Sequence, residues 1–439
     1  MKPEENRIVV IGAGLAGLAA AATLARAGQP VELVEKGTHP GGRAATHEKG
    51  GFYFNVGPHA LYGAGEAARV LKELGVSYKG AAPSATGLTI REGKTWKLPA
   101  TPWSLLTTGI IPFAERLRFG NLLRALLSEN PEKVAGETTA EWVKRHTVNP
   151  VTAELVHMLF RLVTYANAPG HLSAGAAVSQ FQLGEKGNVQ YLDGGWQPLA
   201  DSLRETVEKA GGRFRVSAEA ASVELDNMDR RRTTGVRLRD DTLIPAEAVI
   251  LAVPPSAASA LVDGGKHPEL SRWASNLIPV RAACLDLALR KLPNPDIRFA
   301  LGVDRPLYYS VHSATAKLAP EGMATVSVAK YLDPHGESRA SEDEVELYGL
   351  MDLIQPGWRE ELIHRQFLPR PVVTWALPEA ATAGISGRPG LAVPGVQGLY
   401  VVGDWAGKKG QLADAALASG QQAARELIQA RRQMEQQAA

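Results

Sequence analysis

The chain opens on an uncharged β-branched run, Ile8-Val9-Val10-Ile11, with no alternation of polar residues. That is the pattern of a parallel strand buried on both faces. It runs into Gly12-Ala13-Gly14-Leu15-Ala16-Gly17 and an Ala-rich stretch that predicts a helix ending near Gly28. After Pro30 a second β-rich run follows, Val31-Glu32-Leu33-Val34-Glu35. Strand, glycine turn, helix and strand in about 30 residues make a βαβ unit.

Similar patterns recur far downstream. Tyr191-Leu192-Asp193-Gly194-Gly195 precedes a helix predicted over Leu199 to Ala210. Strand-like runs follow at Val216 to Val223, Gly235 to Leu238 and Ala246 to Val253. Gly398 to Asp404 is another apolar strand, ahead of a long helix that opens near Gly410 and reaches about Arg432, with a frayed Gln/Ala tail. Between these, Arg281 to Leu289 and Met323 to Tyr331 predict strands of an antiparallel sheet. Ala114 to Ser128, Thr139 to Arg145 and Ala153 to Thr164 carry helical apolar spacing. No internal repeat or low-complexity tract is visible.

The first βαβ unit has a chemistry. Gly12 permits a tight turn, Gly14 lets backbone approach a pyrophosphate, and Gly17 lets the helix pack close to the strand. The helix N-terminus offers N–H groups and a positive dipole end to phosphates. Glu35, at the end of the second strand, suits the ribose hydroxyls of an adenosine and disfavours a 2′-phosphate. The unit therefore predicts dinucleotide binding, which a glycine turn serving packing alone would not require.

Composition narrows the picture only modestly. The chain has 439 residues, 45% hydrophobic and 21% charged, enough for two domains or one domain carrying an insertion. A net charge of +2 gives no global field for nucleic acid or an anionic surface, and no nucleic-acid module is recognisable. Cys284 is the only cysteine, so no intramolecular disulfide forms and a reducing cytoplasm is the expected compartment. We expect Cys284 to be a small buried apolar residue. Met1 to Arg7 lacks the layout of a secretory signal. The histidines His157, His171, His267, His335 and His364 show no zinc-type spacing, so no metal is expected. Arg230-Arg231-Arg232 reads as a turn between strands.

Just past Glu35 come Pro40-Gly41-Gly42-Arg43 and then Phe52-Tyr53-Phe54-Asn55-Val56-Gly57-Pro58-His59. Together with Gly403-Asp404 and the helix opening at Gly410-Gln411-Leu412-Ala413, these motifs resemble the flavoprotein superfamily of amine oxidases, protoporphyrinogen oxidases and phytoene desaturases. The resemblance implies an α/β fold, with a Rossmann-like FAD-binding domain built from three segments, about 1–62, 190–260 and 386–439. Segments 63–189 and 261–385 would form an α+β substrate domain, with a mixed or antiparallel sheet and a helical part over about 100–180. It implies FAD as cofactor. The candidate cofactor residues are Gly12, Gly14, Gly17, Glu35, Lys36, Gly42, Arg43, His59, Val223, Gly403, Asp404, Leu412 and Ala413. Val223 would meet the adenine, Asp404 the ribityl chain and pyrophosphate, and Leu412 and Ala413 the flavin N1–C2=O edge. A helix start there stabilises the negative charge of a reduced flavin by about 1–2 kcal/mol.

Oxidations in this superfamily move a hydride to flavin N5, so the candidates are residues opposite the flavin rather than a nucleophile. His59, Trp375 and Tyr309 are the candidate catalytic residues, with Tyr308 and His312 as further pocket lining. Backbone bonding of His59 and core packing of the aromatic residues are the structural alternatives. Asn55 replaces an aspartate often found before Gly-Pro-His. Trp405 follows Asp404 where amine oxidases often have Gly-Glu-His-Thr, and Gly403-Asp404-Trp405-Ala406 places the chain nearer the desaturases and porphyrinogen oxidases. Lys408 and Lys409 face either acidic substrate groups or solvent.

The expected activity is FAD-dependent oxidation of a lipophilic small molecule, polyene- or porphyrinogen-like, by a desaturase, dehydrogenase or oxidase. Oxygen, a quinone or a redox protein would accept the electrons, in a monomer or homodimer. The alternatives are a flavin amine oxidase, a flavin-dependent polyene isomerase, and a non-enzymatic lipid-binding chaperone on the same fold. Pro102 to Leu127, with Trp103, Phe113 and Arg116, Arg118 and Arg124, has two readings. We prefer a helix whose apolar face joins the core. The alternative is a peripheral contact with the inner face of a membrane, which Pro112 interrupts.

Overall fold

A computed structural model describes residues 7–438 except 85, 227, 229 and 230. Met1 to Asn6, where the absence of a signal was read, and Arg230 of the arginine turn lie outside the described residues.

The run Ile8–Ile11 is the centre of a five-stranded parallel sheet. Its order is Arg213–Arg215, Val31–Val34, Ile8–Ile11, Ala248–Leu251, Leu399–Val401. All four residues of Ile8–Ile11 and of Ala248–Leu251 are buried, which accounts for the lack of alternation in the sequence. Glu32 is the charged exception inside Val31–Val34; it is buried and paired with Arg7 and Arg215. The helix Leu15–Arg26 packs on the sheet and against the C-terminal helix Leu412–Ala438. These two helices approach so closely that a Cβ at Gly420 would lie 2.1 Å from the Ala16 carbonyl oxygen. The C-terminal helix continues through Ala438, so the tail read as frayed after Arg432 is helical.

A three-stranded antiparallel sheet, Ala220–Leu225, Thr233–Leu238 and Leu243–Pro245, adjoins this layer. The second large sheet has eight strands. Its spine, Val280–Leu289, pairs antiparallel with Ala324–Tyr331 and Leu362–Leu368. Leu88–Arg91 joins Phe299–Gly302 in parallel, which makes the sheet mixed. Alternation along the spine sends Ala283, Leu285, Leu287 and Leu289 into a core with the helix Ala340–Ile354. Cys284 and Asp286 point to the opposite face.

Five helices, Pro102–Thr107, Phe113–Ser128, Thr139–His146, Pro150–Thr164 and Ala174–Gly187, form the helical part. All but Phe113–Ser128, which follows Pro112, are capped at their starts by side chains. Thr138 and Glu141 form a capping box, and Asn149 accepts from the amides of Val151 and Thr152 ahead of Pro150. No described helix is long and apolar enough to cross a membrane.

Candidate functional site

The two glycine loops lie against each other. The Gly41 amide donates to the Ala13 carbonyl at 2.8 Å, and a Cβ at Gly42 would lie 3.5 Å from Gly14 Cα. Gly12 has φ +102°, a conformation that a side chain resists, and a Cβ there would meet the Ala252 carbonyl at 2.6 Å. A Cβ at Gly14 would meet nothing within 4 Å, so backbone at the helix start faces open space. Glu35 stands beside it, its two oxygens each accepting one backbone N–H at 2.7 Å, from Ala13 and Gly37. Each oxygen keeps a lone pair for a further donor. Lys36 is exposed, and Val223 pairs with Val236 in the three-stranded sheet.

The loop holding Arg43 meets the C-terminal motif. Arg43 Nη1 donates to Asp404 Oδ2 at 2.6 Å and to the Val373 carbonyl at 2.9 Å. Asp404 is buried, and its other oxygen, Oδ1, has no hydrogen-bond partner in the protein. A buried acceptor left open is costly unless a ligand donor meets it, and a hydroxyl of a bound cofactor would supply such a donor. The donor set fits FAD on this ground. Leu412 and Ala413 begin the C-terminal helix next to this point, with Leu412 at φ +55°.

Sequence reasoning missed Arg388, which organises this corner. It is buried, and its guanidinium donates to the carbonyls of Asp404 at 3.0 Å and Gly410 at 2.7 Å. Burial pulls its pKa down to about 10, against the pull of Asp404. Lys408 donates to the Ser386 carbonyl at 2.5 Å and also to that of Arg388, so it clamps a loop. Gln411 donates to the Ala176 carbonyl at 2.8 Å, tying the helix start to Ala174–Gly187. Asp414 accepts the Ala67 amide at 2.7 Å, and burial pushes its pKa up to about 6. Arg388, Asp404, Gln411 and Leu412 line one cavity with Thr164, Thr374 and Ala376.

His59 is half-buried, and its Nδ1–H donates to the Gly57 carbonyl at 2.8 Å, with the Arg43 backbone as a second partner of the ring. Burial lowers its pKa despite those bonds. Its ring meets Trp196 edge-on at 5.0 Å. Asn55, in place of an acid, has a structural use: its Oδ1 accepts from Thr46 at 2.6 Å and from the Trp196 amide at 3.3 Å. Within electrostatic reach of His59 lies a buried aromatic wall. His312 stacks on Tyr191 at 3.9 Å, and the Tyr308 hydroxyl lies 3.1 Å from His312 Nε2. Burial, with His59 adding to it, pushes the His312 pKa down to about 3, so this wall is neutral.

Three aromatic candidates are placed differently. Tyr309 points away from this wall, because adjacent strand residues face opposite sides of the sheet. Its hydroxyl accepts from Gln355 at 2.8 Å and donates to the Ile297 carbonyl at 3.2 Å, inside the far core. Trp405 is buried, with its indole N–H donating to the Val253 carbonyl at 3.1 Å. Trp375 is half-buried against the parallel-sheet core, between two residues that line the cavity. Cys284 is buried, and desolvation raises its thiol pKa well above the ordinary value. Among the described residues no group of three or more His, Cys, Asp or Glu is placed to hold a metal.

Known proteins are similar to this chain. A 4,4′-diaponeurosporene oxygenase of Staphylococcus aureus is 24% identical over 283 residues, covering 56% of this chain and 55% of its own. The neurosporene-forming phytoene desaturase of Rhodobacter capsulatus is 28% identical over 275 residues, covering 56% of this chain and 52% of its own. The chain thus aligns with about half the length of these relatives. The crystal structure of an oxidoreductase from Methanosarcina mazei superposes with a TM-score of 0.75 at 21% identity, over 94% of this chain and 98% of that one. Residues 15–283 match the profile of the flavin containing amine oxidoreductases. The chain belongs to that family, and FAD is the flavin its site fits.

Proposed function

We propose that the protein oxidises a lipophilic small molecule as an FAD-dependent desaturase, dehydrogenase or oxidase. The observation that carries this reading is a polar corner built from Arg43, Asp404 and the start of Leu412–Ala438, together with a neutral aromatic cluster of Tyr191, Tyr308 and His312 within electrostatic reach of His59. The cluster holds no ionised acid or base, which suits removal of a hydride from an apolar skeleton. When bound, FAD supplies the two-electron acceptor for that hydride.

In this reading segments 1–62, 190–260 and 386–439 hold the cofactor, and 63–189 and 261–385 enclose the substrate. Glu35 takes the ribose and Val223 backbone the adenine. Asp404 takes the ribityl chain, and Arg43 neutralises the pyrophosphate while holding Asp404 in place. The amides of Leu412 and Ala413 favour negative charge beside them. His59 stands beside the cofactor, and Trp375 flanks the substrate. Tyr191, Tyr308 and His312 exclude water.

The names of two relatives, a phytoene desaturase and a diaponeurosporene oxygenase, support a polyene as substrate, with a porphyrinogen as the other planar candidate. Oxygen, a quinone or a redox protein is the final acceptor. Trp103, Phe113, Leu117 and Leu106 are exposed together beside Arg118 and Arg124, while Phe119, Leu122 and Leu126 of the same helical hairpin are buried. Such a patch supports peripheral contact with an anionic membrane that delivers the substrate. Anaerobic titration of the FAD-loaded protein with polyenes, porphyrinogens and amines tests the reading. Bleaching of the flavin bands by a polyene or porphyrinogen supports it; bleaching by amines alone overturns it.

A further inference from the structure

The helix Pro150–Thr164 also walls a second cavity, lined by Thr139, His157, Phe160, Arg161, Asn167 and Pro169 among others. His157, Phe160 and Arg161 are three and four residues apart, so one helix face presents all of them. Arg161 is half-buried, and its Nη2 donates to the carbonyls of Val303 at 2.9 Å and Gly302 at 3.2 Å. Among the described residues no carboxylate forms an ion pair with it. The two acids whose charge reaches it are engaged elsewhere. Glu154 accepts from Arg91 at 2.8 Å, and Asp304 accepts the Glu92 amide at 2.9 Å. Holding a partly buried charge without a counter-ion costs free energy, and a tie between helix and strand needs only a neutral donor.

Tyr165 lies in the chain between residues that line this cavity and the one beside Asp404. It follows the helix at φ +59°, where a bulky aromatic side chain is strained. Its predecessor Thr164 lines the cofactor-side cavity, and its successor Ala166 lines the second. Its ring lies 6.0 Å from that of Tyr331, whose buried hydroxyl has no hydrogen-bond partner in the protein. Tyr331 in turn lies within electrostatic reach of Arg161.

We propose that this second cavity is an anion subsite of the substrate pocket, in which Arg161 pairs with the carboxylate of an otherwise apolar substrate whose body runs past Tyr331 and Tyr165 toward the flavin. The inference rests on the oxidation reading above and narrows its substrate class to amphipathic carboxylates. A guanidinium presents a fork that matches a carboxylate. Desolvation pulls the His157 pKa down to about 4, with Arg161 adding to it, so His157 is neutral near pH 7 and leaves the positive charge to Arg161.

Calorimetric titration of the FAD-loaded full chain with decanoate and with decanol tests the subsite without turnover. Decanoate is expected to bind about tenfold more tightly than decanol. Arg161→Met should erase that preference with the flavin spectrum unchanged, and Arg161→Lys should keep part of it. Equal binding of both probes, binding of neither, or a preference that survives in Arg161→Met overturns the inference. Should Arg161→Met fail to fold, the wild-type ratio and Arg161→Lys decide. A polyene without a carboxylate that bleaches the flavin, with no decanoate preference, sinks the subsite and leaves the oxidation reading standing. A decanoate preference with no bleaching by any polyene or porphyrinogen does the reverse.

Discussion

Arg43 Nη1 and Asp404 Oδ2 lie 2.6 Å apart although 361 positions separate them in the chain. The contact closes the site, joining the loop after the first βαβ unit to the start of the C-terminal helix. Asp404 is 2% exposed and Arg43 38% exposed, so the pair is anchored on the acid and screened on the base. Arg43→Met leaves the buried carboxylate without its cation. The variant is expected to lose about 1–2 kcal/mol, less than a fully buried pair because solvent reaches the arginine. Its FAD affinity should fall about tenfold. Chemical denaturation and flavin fluorescence titration measure the two effects.

Gly14 and Gly17 make opposite predictions. A Cβ at Gly17 would sit 1.9 Å from the Gly12 carbonyl oxygen, so Gly17→Ala should prevent the first βαβ unit from packing and yield little folded protein. A Cβ at Gly14 meets no protein atom within 4 Å, and the backbone there has φ −72°. Gly14→Ala should therefore fold with an unchanged melting temperature and still lose FAD, since the methyl group occupies the approach of the pyrophosphate. Melting curves read with and without added FAD separate the two outcomes.

Asp286 gives the fold a pH dependence. It is buried on the spine strand, accepting from Ser327 Oγ at 2.7 Å and Gln366 Nε2 at 3.3 Å, and burial raises its pKa to about 7 against those bonds. An unfolded aspartate titrates near 3.9. Between roughly pH 4 and 7 the unfolded chain gives up this proton while the folded one keeps it. The stability it contributes is thus full below about pH 4 and lost as pH rises to 7. Asp286→Asn should remove that decline and be more stable than wild type at pH 8, on the order of 2–4 kcal/mol. Urea denaturation at pH 5 and pH 8 reads the difference.

Tyr309 and Tyr308 are sequence neighbours with different expected phenotypes. Tyr309→Phe removes a hydroxyl bonded to Gln355 and Ile297 in the far core. It should cost about 1 kcal/mol of stability and leave the rate of flavin bleaching unchanged. Tyr308→Phe removes the hydroxyl facing His312, so the bleaching rate should change. Stopped-flow reduction of the two variants compares them directly.

Much of the layout was legible because its signals are local. The all-apolar run Ile8–Ile11 and the spacing of Gly12, Gly14 and Gly17 specify strand, turn and helix without long-range information. The face on which Tyr309 sits was not legible. All four residues of Leu307–Ser310 are buried, so no polar alternation marks the phase of the strand. Arg388 and Arg161 escaped notice for a related reason. An arginine in sequence reads as surface, and only the fold brings carbonyls such as Gly410 and Val303 to meet it. Trp405 resembled a cofactor neighbour because it follows Asp404, yet its indole turns into the core.

The most direct test of the central claim is the amount of FAD held by the purified full chain, released by acid and quantified against protein. One FAD per chain, retained through gel filtration and lost in Gly14→Ala, is the expected result. A colourless protein that takes up no FAD when the cofactor is added would contradict the account at its root.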